Sequence, residues 1–333
     1  FIMANLKTNY MGLELKNPII IGSCNLSSDF SLLEKMQEAG AAAIVYKSLF
    51  EEQVQLERLK VQNKLHEFDD RNAEMTRIFP NFDDFGPEEH LFNLAKAVKK
   101  VDIPIIGSLN AVNHDTWVEY AKKIESVGVA ALELNLYTHP ANANMEVPDI
   151  VGEQLKVAAE VVNAVKIPVS VKISPFYTNV LRAAQKFEET GIKGFVMFNK
   201  LFQPDIDIEN EKRVFPYNLS YPEENRLPLR YTGLLYGNIK PSICANTGIF
   251  TGDDVIKMLL AGADTVQIVS TLYKNKIEVI EMMLFQIENW MNKKSYDSLD
   301  DFKGKLSAKN STDPFAYRRS QYVELIMKSD EIF

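Results

Sequence analysis

Two lysines close short apolar runs, Ala43-Ile-Val-Tyr-Lys47 and Val169-Ser-Val-Lys172. An ammonium at the end of a buried run is partly desolvated and must meet an anion, a carbonyl or a ring acceptor. Ser23, Asn110, Asn135, Asn199, Asn246 and Ser270 end six further apolar runs in the same way. Lysines and amides with no carboxylate cluster beside them do not build a divalent-metal site, because hard cations want charged oxygen. No zinc spacing and no Ser/His/Asp combination is present either, so no metal is expected. Amides and ammoniums suit a flat, electron-accepting heterocycle: they address ring carbonyls and nitrogens, and a lysine stabilises negative charge on a reduced ring. A phosphate handle is legible in Asn246-Thr-Gly248-Ile and Ser270-Thr271, where backbone N–H groups and hydroxyls are donors and glycine permits close approach.

The elements that must position these residues are short. Eight apolar runs are predicted strands: 18–22, 43–47, 104–109, 131–135, 168–174, 194–199, 241–246 and 265–270. Amphipathic helical patterns lie between them, as in Trp117, Tyr120, Ile124 and Val127, or Val255, Met258 and Leu259 behind a capping box from Thr251 to Asp254. Runs that are apolar throughout imply burial on both faces and hence a parallel sheet. An internal repeat agrees. Pro18, Pro104, Pro168 and Pro241 open strands, and each is followed at nearly constant spacing by a helix-ending glycine: Gly40, Gly128, Gly191 and Gly262. Four two-strand units make eight, and with no G-x-G-x-x-G turn the pattern predicts an α/β (β/α)8 TIM barrel rather than an open doubly wound sheet. The chain reads as one domain over 1–333, with the barrel over about 17–291 and a C-terminal helical extension over 292–333. Connections 48–87 and 200–232, after strands two and six, are too long for bare turns and read as substrate loops or lids.

A formal net charge of −8 without a block of like charges argues against a nucleic-acid footprint or an anionic membrane surface. Two cysteines, Cys24 and Cys244, are too few for a disulfide framework and fit a reducing cytoplasm. The apolar runs are too short to span a membrane, and the N-terminal residues show no signal-peptide pattern. Aromatics between Phe202 and Tyr236, namely Phe215, Tyr217, Tyr221 and Tyr231, predict a sticky surface and a twofold homodimer, or a cover for the barrel mouth.

In this order the motifs resemble the dihydroorotate dehydrogenases, FMN-containing barrel flavoproteins. The resemblance runs through Asn17-Pro18, Gly22-Ser23, Lys47-Ser48, Glu133-Leu-Asn135, Val171-Lys172, Asn199, Ile239-Lys-Pro241, Asn246-Thr-Gly248-Ile with Thr251-Gly252, and Gln267-Ile-Val-Ser270-Thr271. It implies FMN as cofactor, with Gly22, Ser23, Lys47 and Ser48 along the flavin ring and Asn135 and Lys172 at the flavin and substrate edge. Asn199 would bind substrate with Lys47 and Asn135; Asn110 and Asn246 would add cofactor contacts, and Gly248, Ser270 and Thr271 would hold the phosphate. The implied chemistry is removal of the C5 proton of dihydroorotate by a base while the C6 hydride passes to flavin N5, giving orotate in pyrimidine biosynthesis. The soluble class is implied, with fumarate as acceptor or NAD through a partner electron-transfer subunit.

The sequence departs from the family where the base should stand. The family's Asn-x-Ser-Cys-Pro-Asn reads Asn135-Leu-Tyr-Thr-His-Pro140 here, which puts Thr138 at the base position beside His139, whose ordinary pKa suits neutral pH. The family's substrate-binding asparagine in the loop after strand two has Asn72 and Asn81 as its loose counterparts, and Ser-Gly-Gly on strand seven has become Asn246-Thr247-Gly248. Three other readings therefore stand beside the first. They are a flavin oxidoreductase for another dihydropyrimidine or an enoate, a class I aldolase-like barrel with Lys172 or Lys47 as Schiff-base nucleophile, and a flavin-binding subunit without turnover.

Overall fold

All eight predicted runs are parallel strands in a computed structural model of the chain, which describes residues 4–55, 87–136, 146–200, 203–214, 216, 219–313, 317 and 320–327. A hairpin, β1 (Thr8–Tyr10) and β2 (Leu13–Leu15), precedes the barrel. The first half of the barrel holds β3 (Ile19–Ile21), α1 (Phe30–Glu38), β4 (Ala43–Val45), the accessory β5 (Leu49–Phe50), α2 (Glu88–Lys100), β6 (Ile105–Asn110), α3 (His114–Ser126), β7 (Ala131–Asn135) and α4 (Val147–Ala164). The second half holds β8 (Val169–Ile173), α5 (Val180–Glu189), β9 (Gly194–Met197), the excursion β10 (Asp205–Asp207) with β11 (Lys212–Val214), α6 (Arg226–Leu235), β12 (Ser242–Asn246), α7 (Gly252–Ala261), β13 (Thr265–Ile268), α8 (Ser270–Asn275) and α9 (Val279–Lys294). A last helix, α10, is Ser320–Met327. Closure is made by β13 against β3, with Gln267 opposite Ile20, and by β4 against β6, with Ile44 opposite Ile105.

Each strand divides its residues between two cores, because successive side chains point to opposite faces. Ile19, Ile21, Ile44, Ile105, Leu132, Leu134, Val171, Phe195 and Ile243 pack outward on the helices. Ile20, Ala43, Val45, Ile106, Val196 and Cys244 fill the barrel interior near the strand starts, where the hairpin's Tyr10 and Met11 plug it. Further along, the buried inward positions turn polar, with Ser108, Glu133, Ser170, Lys172 and Gln267. Polarity thus rises toward the strand C-termini, the end where loops converge on a site.

The four helix-ending glycines, Gly40, Gly128, Gly191 and Gly262, all have positive φ, as their predicted role demands. Three boundaries differ from the sequence reading. The connection after strand six is a hairpin and a turn leading into α6, which starts at Arg226 inside the predicted loop. Helix α9 runs past residue 291 to Lys294, because its buried stripe of Ile280, Met283, Ile287 and Met291 continues. Over residues 295–313 the extension is a 3-10 turn at Leu299–Asp301 and further turns rather than one helix.

Candidate active site

The strand C-termini enclose a cavity of about 390 Å³, within the roughly 300–1,000 Å³ of small-molecule sites. Ser23, Lys47, Ser48, Asn135 and Lys172 line it from the first half of the barrel and strand five, and Asn199, Asn246, Gly248 and Ser270 from the rest.

Its floor is ionic. Lys172 Nζ donates to Gln267 Oε1 at 3.2 Å and lies 3.6 Å from Glu133 Oε1, while Gln267 Nε2 donates to Glu133 Oε2 at 2.5 Å. Lys172 is 6% exposed and its two partners 1% each, so this is a buried, paired charge. One wall is a hydroxyl chain, with Ser23 Oγ 3.0 Å from Ser48 Oγ and Ser48 Oγ 2.6 Å from Ser108 Oγ. The opposite wall carries amides: Asn199 Nδ2 donates to Asn135 Oδ1 at 2.8 Å, leaving the Asn135 NH2 and the Asn199 carbonyl toward other partners.

The far end is a backbone cradle. Thr247 and Gly248 have φ of 83° and 73°, strained for a β-branched threonine. The Thr247 hydroxyl and the Asn246 amide hold this turn by donating to the Phe198 carbonyl at 3.1 and 2.9 Å. Ser220, from the excursion after strand six, ties both phosphate-type loops together: its Oγ accepts from Gly248 N at 3.3 Å and its N–H donates to Ser270 Oγ at 2.9 Å. Ser270 therefore keeps its own hydroxyl hydrogen for another acceptor. Lys200 pairs with Glu224 at the rim.

Three predicted site residues fall elsewhere. Asn110 borders a neighbouring cavity of about 660 Å³ with Phe50, Trp117 and Leu136, because β5 pairs beside it. Thr271 is fully buried in the first turn of α8, where its hydroxyl accepts from Asn275 and faces the Phe250 carbonyl at 3.5 Å. Gly22 is not among the lining residues, and a Cβ there would meet the Val269 side chain at 2.7 Å and that of Gln267 at 3.3 Å. Thr138, His139, Asn72 and Asn81 lie outside the described residues, as do Phe202, Phe215 and Tyr217. Of the remaining loop aromatics, Tyr231 packs edge-on against Phe198 and Tyr221 is exposed beneath Lys274.

Glu133, Gln267, Ser108, Lys200 and Ser220 carry site geometry that strand-end reasoning does not reach. For Glu133 and Gln267 the available signal is a charged or amide residue inside an otherwise apolar run. Lys47 has no hydrogen-bond or ion-pair partner among the described residues. It borders the main cavity and a second one of about 240 Å³ that holds His90.

Burial first, and the Lys47 charge second, lower the His90 pKa to about 4. Its Nε2 has no partner among the described residues, and its ring meets Tyr46 edge-on at 5.4 Å. Between pH 6.5 and about 4 the unfolded imidazole takes up a proton that the folded one refuses. The contribution is full above that window and is lost as pH falls through it, by on the order of 3 kcal/mol. Denaturant unfolding of wild type and His90→Gln from pH 8 to 4 should show this part of the acid sensitivity missing in the variant.

A (β/α)8 barrel with a buried lysine, an amide pair and a glycine-turned cradle converging on one cavity defines a barrel enzyme built for a flat ligand with an anionic handle. Comparison with known proteins narrows this: the family model for dihydroorotate dehydrogenase matches residues 5–291, and the chain belongs to that family. The chain is 29% identical over 310 residues to the catalytic subunit of dihydroorotate dehydrogenase B (NAD(+)) of Thermoplasma volcanium, covering 91% of this chain and 98% of that protein. It is 27% identical over 303 residues to the protein of the same name from Methanocaldococcus jannaschii, covering 87% and 94%. Against dihydroorotate dehydrogenase A (fumarate) of Lactobacillus helveticus it is 28% identical over 213 residues, covering 62% and 68%.

Proposed function

We propose that this chain is an FMN-dependent oxidoreductase that converts dihydroorotate to orotate in pyrimidine biosynthesis. The observation that carries the reading is the family match across residues 5–291, with Lys172, Asn135 and Asn199 facing one cavity. FMN suits the lining. Lys172 has three N–H donors and one hydrogen-bonded protein partner, Gln267, which leaves two donors for ring acceptors. The Gly248 cradle closes so tightly that a Cβ would fill it, and Ser270 keeps a free hydroxyl hydrogen.

Lys172, Lys47, Ser23 and Ser48 would hold the ring, with Asn246 beside it, and Gly248 and Ser270 would hold the phosphate. When bound, FMN supplies a two-electron acceptor. The Asn135 NH2 and the Asn199 carbonyl offer a donor and an acceptor side by side, matching an imide N–H and carbonyl on a dihydropyrimidine. Lys47 adds positive charge for a carboxylate. By the family resemblance, Thr138 or His139 would take the C5 proton, and the C6 hydride would pass to the bound flavin, the two-electron acceptor. General bases contribute about 10²- to 10⁴-fold, so alanine at the residue that accepts the proton slows flavin reduction by that much and alanine at its neighbour does not.

A cytoplasmic homodimer is part of the reading, together with a separate electron-transfer subunit, which the name of the relatives as catalytic subunits supports. Among the described residues no helix is long and apolar enough to cross a membrane, no group of three metal-ligating side chains occurs, and both cysteines are free. The test is an anaerobic visible spectrum of the purified protein with FMN and then dihydroorotate. Loss of the flavin band within seconds is expected; a colourless protein, or a band that dihydroorotate leaves untouched, overturns the proposal.

A further inference from the structure

Glu133 and Gln267 sit on β7 and β13, strands on opposite sides of the closed sheet. Their hydrogen bond therefore spans the barrel beneath the cavity. An ionised carboxylate only accepts, so Glu133 forces the Gln267 amide to turn its NH2 toward it and its oxygen toward Lys172. The carboxylate thereby fixes the amide, and the amide fixes the ammonium. Glu133 Oε1 lies 3.6 Å from Nζ with no hydrogen bond of its own among the described residues, supplying charge without consuming a donor. No carboxylate lines the cavity among the described residues, Glu133 lying beneath it, and all three groups are buried, where charge is screened less than in water.

We propose that Glu133 and Gln267 are positioning residues that hold the Lys172 ammonium beneath the ring and set, through its compensated charge, how strongly the reduced flavin is favoured over the oxidised one. This rests on the FMN reading above. The measurement is the midpoint potential and visible spectrum of bound FMN in wild type, Glu133→Gln, Glu133→Asp and Gln267→Met.

Glu133→Gln leaves the lysine charge unopposed, so reduced flavin should gain at least tenfold in affinity over oxidised, an upward shift of about 30 mV for a two-electron couple. Glu133→Asp, which keeps the charge, should return most of that shift. Gln267→Met should move the flavin band and weaken FMN binding, and it carries the test if Glu133→Gln does not fold. Equal potentials in wild type and Glu133→Gln, or an unmoved band in Gln267→Met, overturn this assignment while leaving the flavin reading intact. A wild-type chain that takes up no FMN overturns that reading itself, and this proposal with it.

Discussion

Lys172→Met should reduce bound flavin with dihydroorotate at least about 100-fold more slowly than wild type, the cost typical of losing one preorganised donor at a site of developing charge. It should also lower stability by about 3–5 kcal/mol, because Glu133 stays buried with its counter-charge gone. The two effects are separable. The double variant Lys172→Met/Glu133→Gln removes the stranded charge and should recover most of the stability in urea unfolding while recovering none of the rate. A double variant as unstable as the single one would mean that the pair is not the source of the loss. A single variant with wild-type flavin reduction would remove Lys172 from the site.

The second large effect is expected at Gly248. Its φ of 73° is costly for a residue with a Cβ, and that Cβ would stand 2.3 Å from Asn225 N and 2.9 Å from the Tyr221 carbonyl oxygen, which is backbone and cannot swing aside. Left-handed strain of roughly 1–2 kcal/mol and overpacking of roughly 1–3 kcal/mol put Gly248→Ala at about 2–5 kcal/mol. The displaced excursion also carries Ser220, which bridges Gly248 and Ser270, so the cradle loses its shape as well. Urea unfolding and the flavin-to-protein ratio after desalting read the two consequences. Gly12→Ala is the control, since its φ is 88° with nothing within 4 Å of the added carbon, and it should pay the strain alone. Equal losses at the two glycines would show that the clash at residue 248 is relieved by movement.

The barrel is legible in the sequence because its signal is local. Each strand is an apolar run with a polar end, every second one opens on a proline, and each repeat closes on a glycine that only a left-handed helix end explains, as at Gly40 and Gly262. Strand ends also point to the site by construction, so Ser23, Lys47, Asn135, Lys172, Asn199, Asn246 and Ser270 could be found from spacing alone. Asn110, also at a strand end, borders a neighbouring cavity beside the extra strand β5, which spacing does not register. Thr271, read with Ser270 as part of the phosphate handle, is buried with its hydroxyl between Phe250 and Asn275.

What sequence order cannot supply is pairing across the barrel. Glu133 and Gln267 are 134 residues apart, yet one hydrogen bond joins them, and Gln267 reaches Lys172 and Glu133 only because closure brings β13 across the ring from the neighbouring pair β7 and β8. Ser220 is likewise far along the chain from Gly248 and Ser270, and only the return of the excursion over the mouth makes it their bridge. Residue types and strand ends fix which groups are available and at which face, since both follow from local burial and periodicity. Which group orients which follows from closure of the sheet, since contacts between distant strands depend on the register of the whole ring rather than on any one segment.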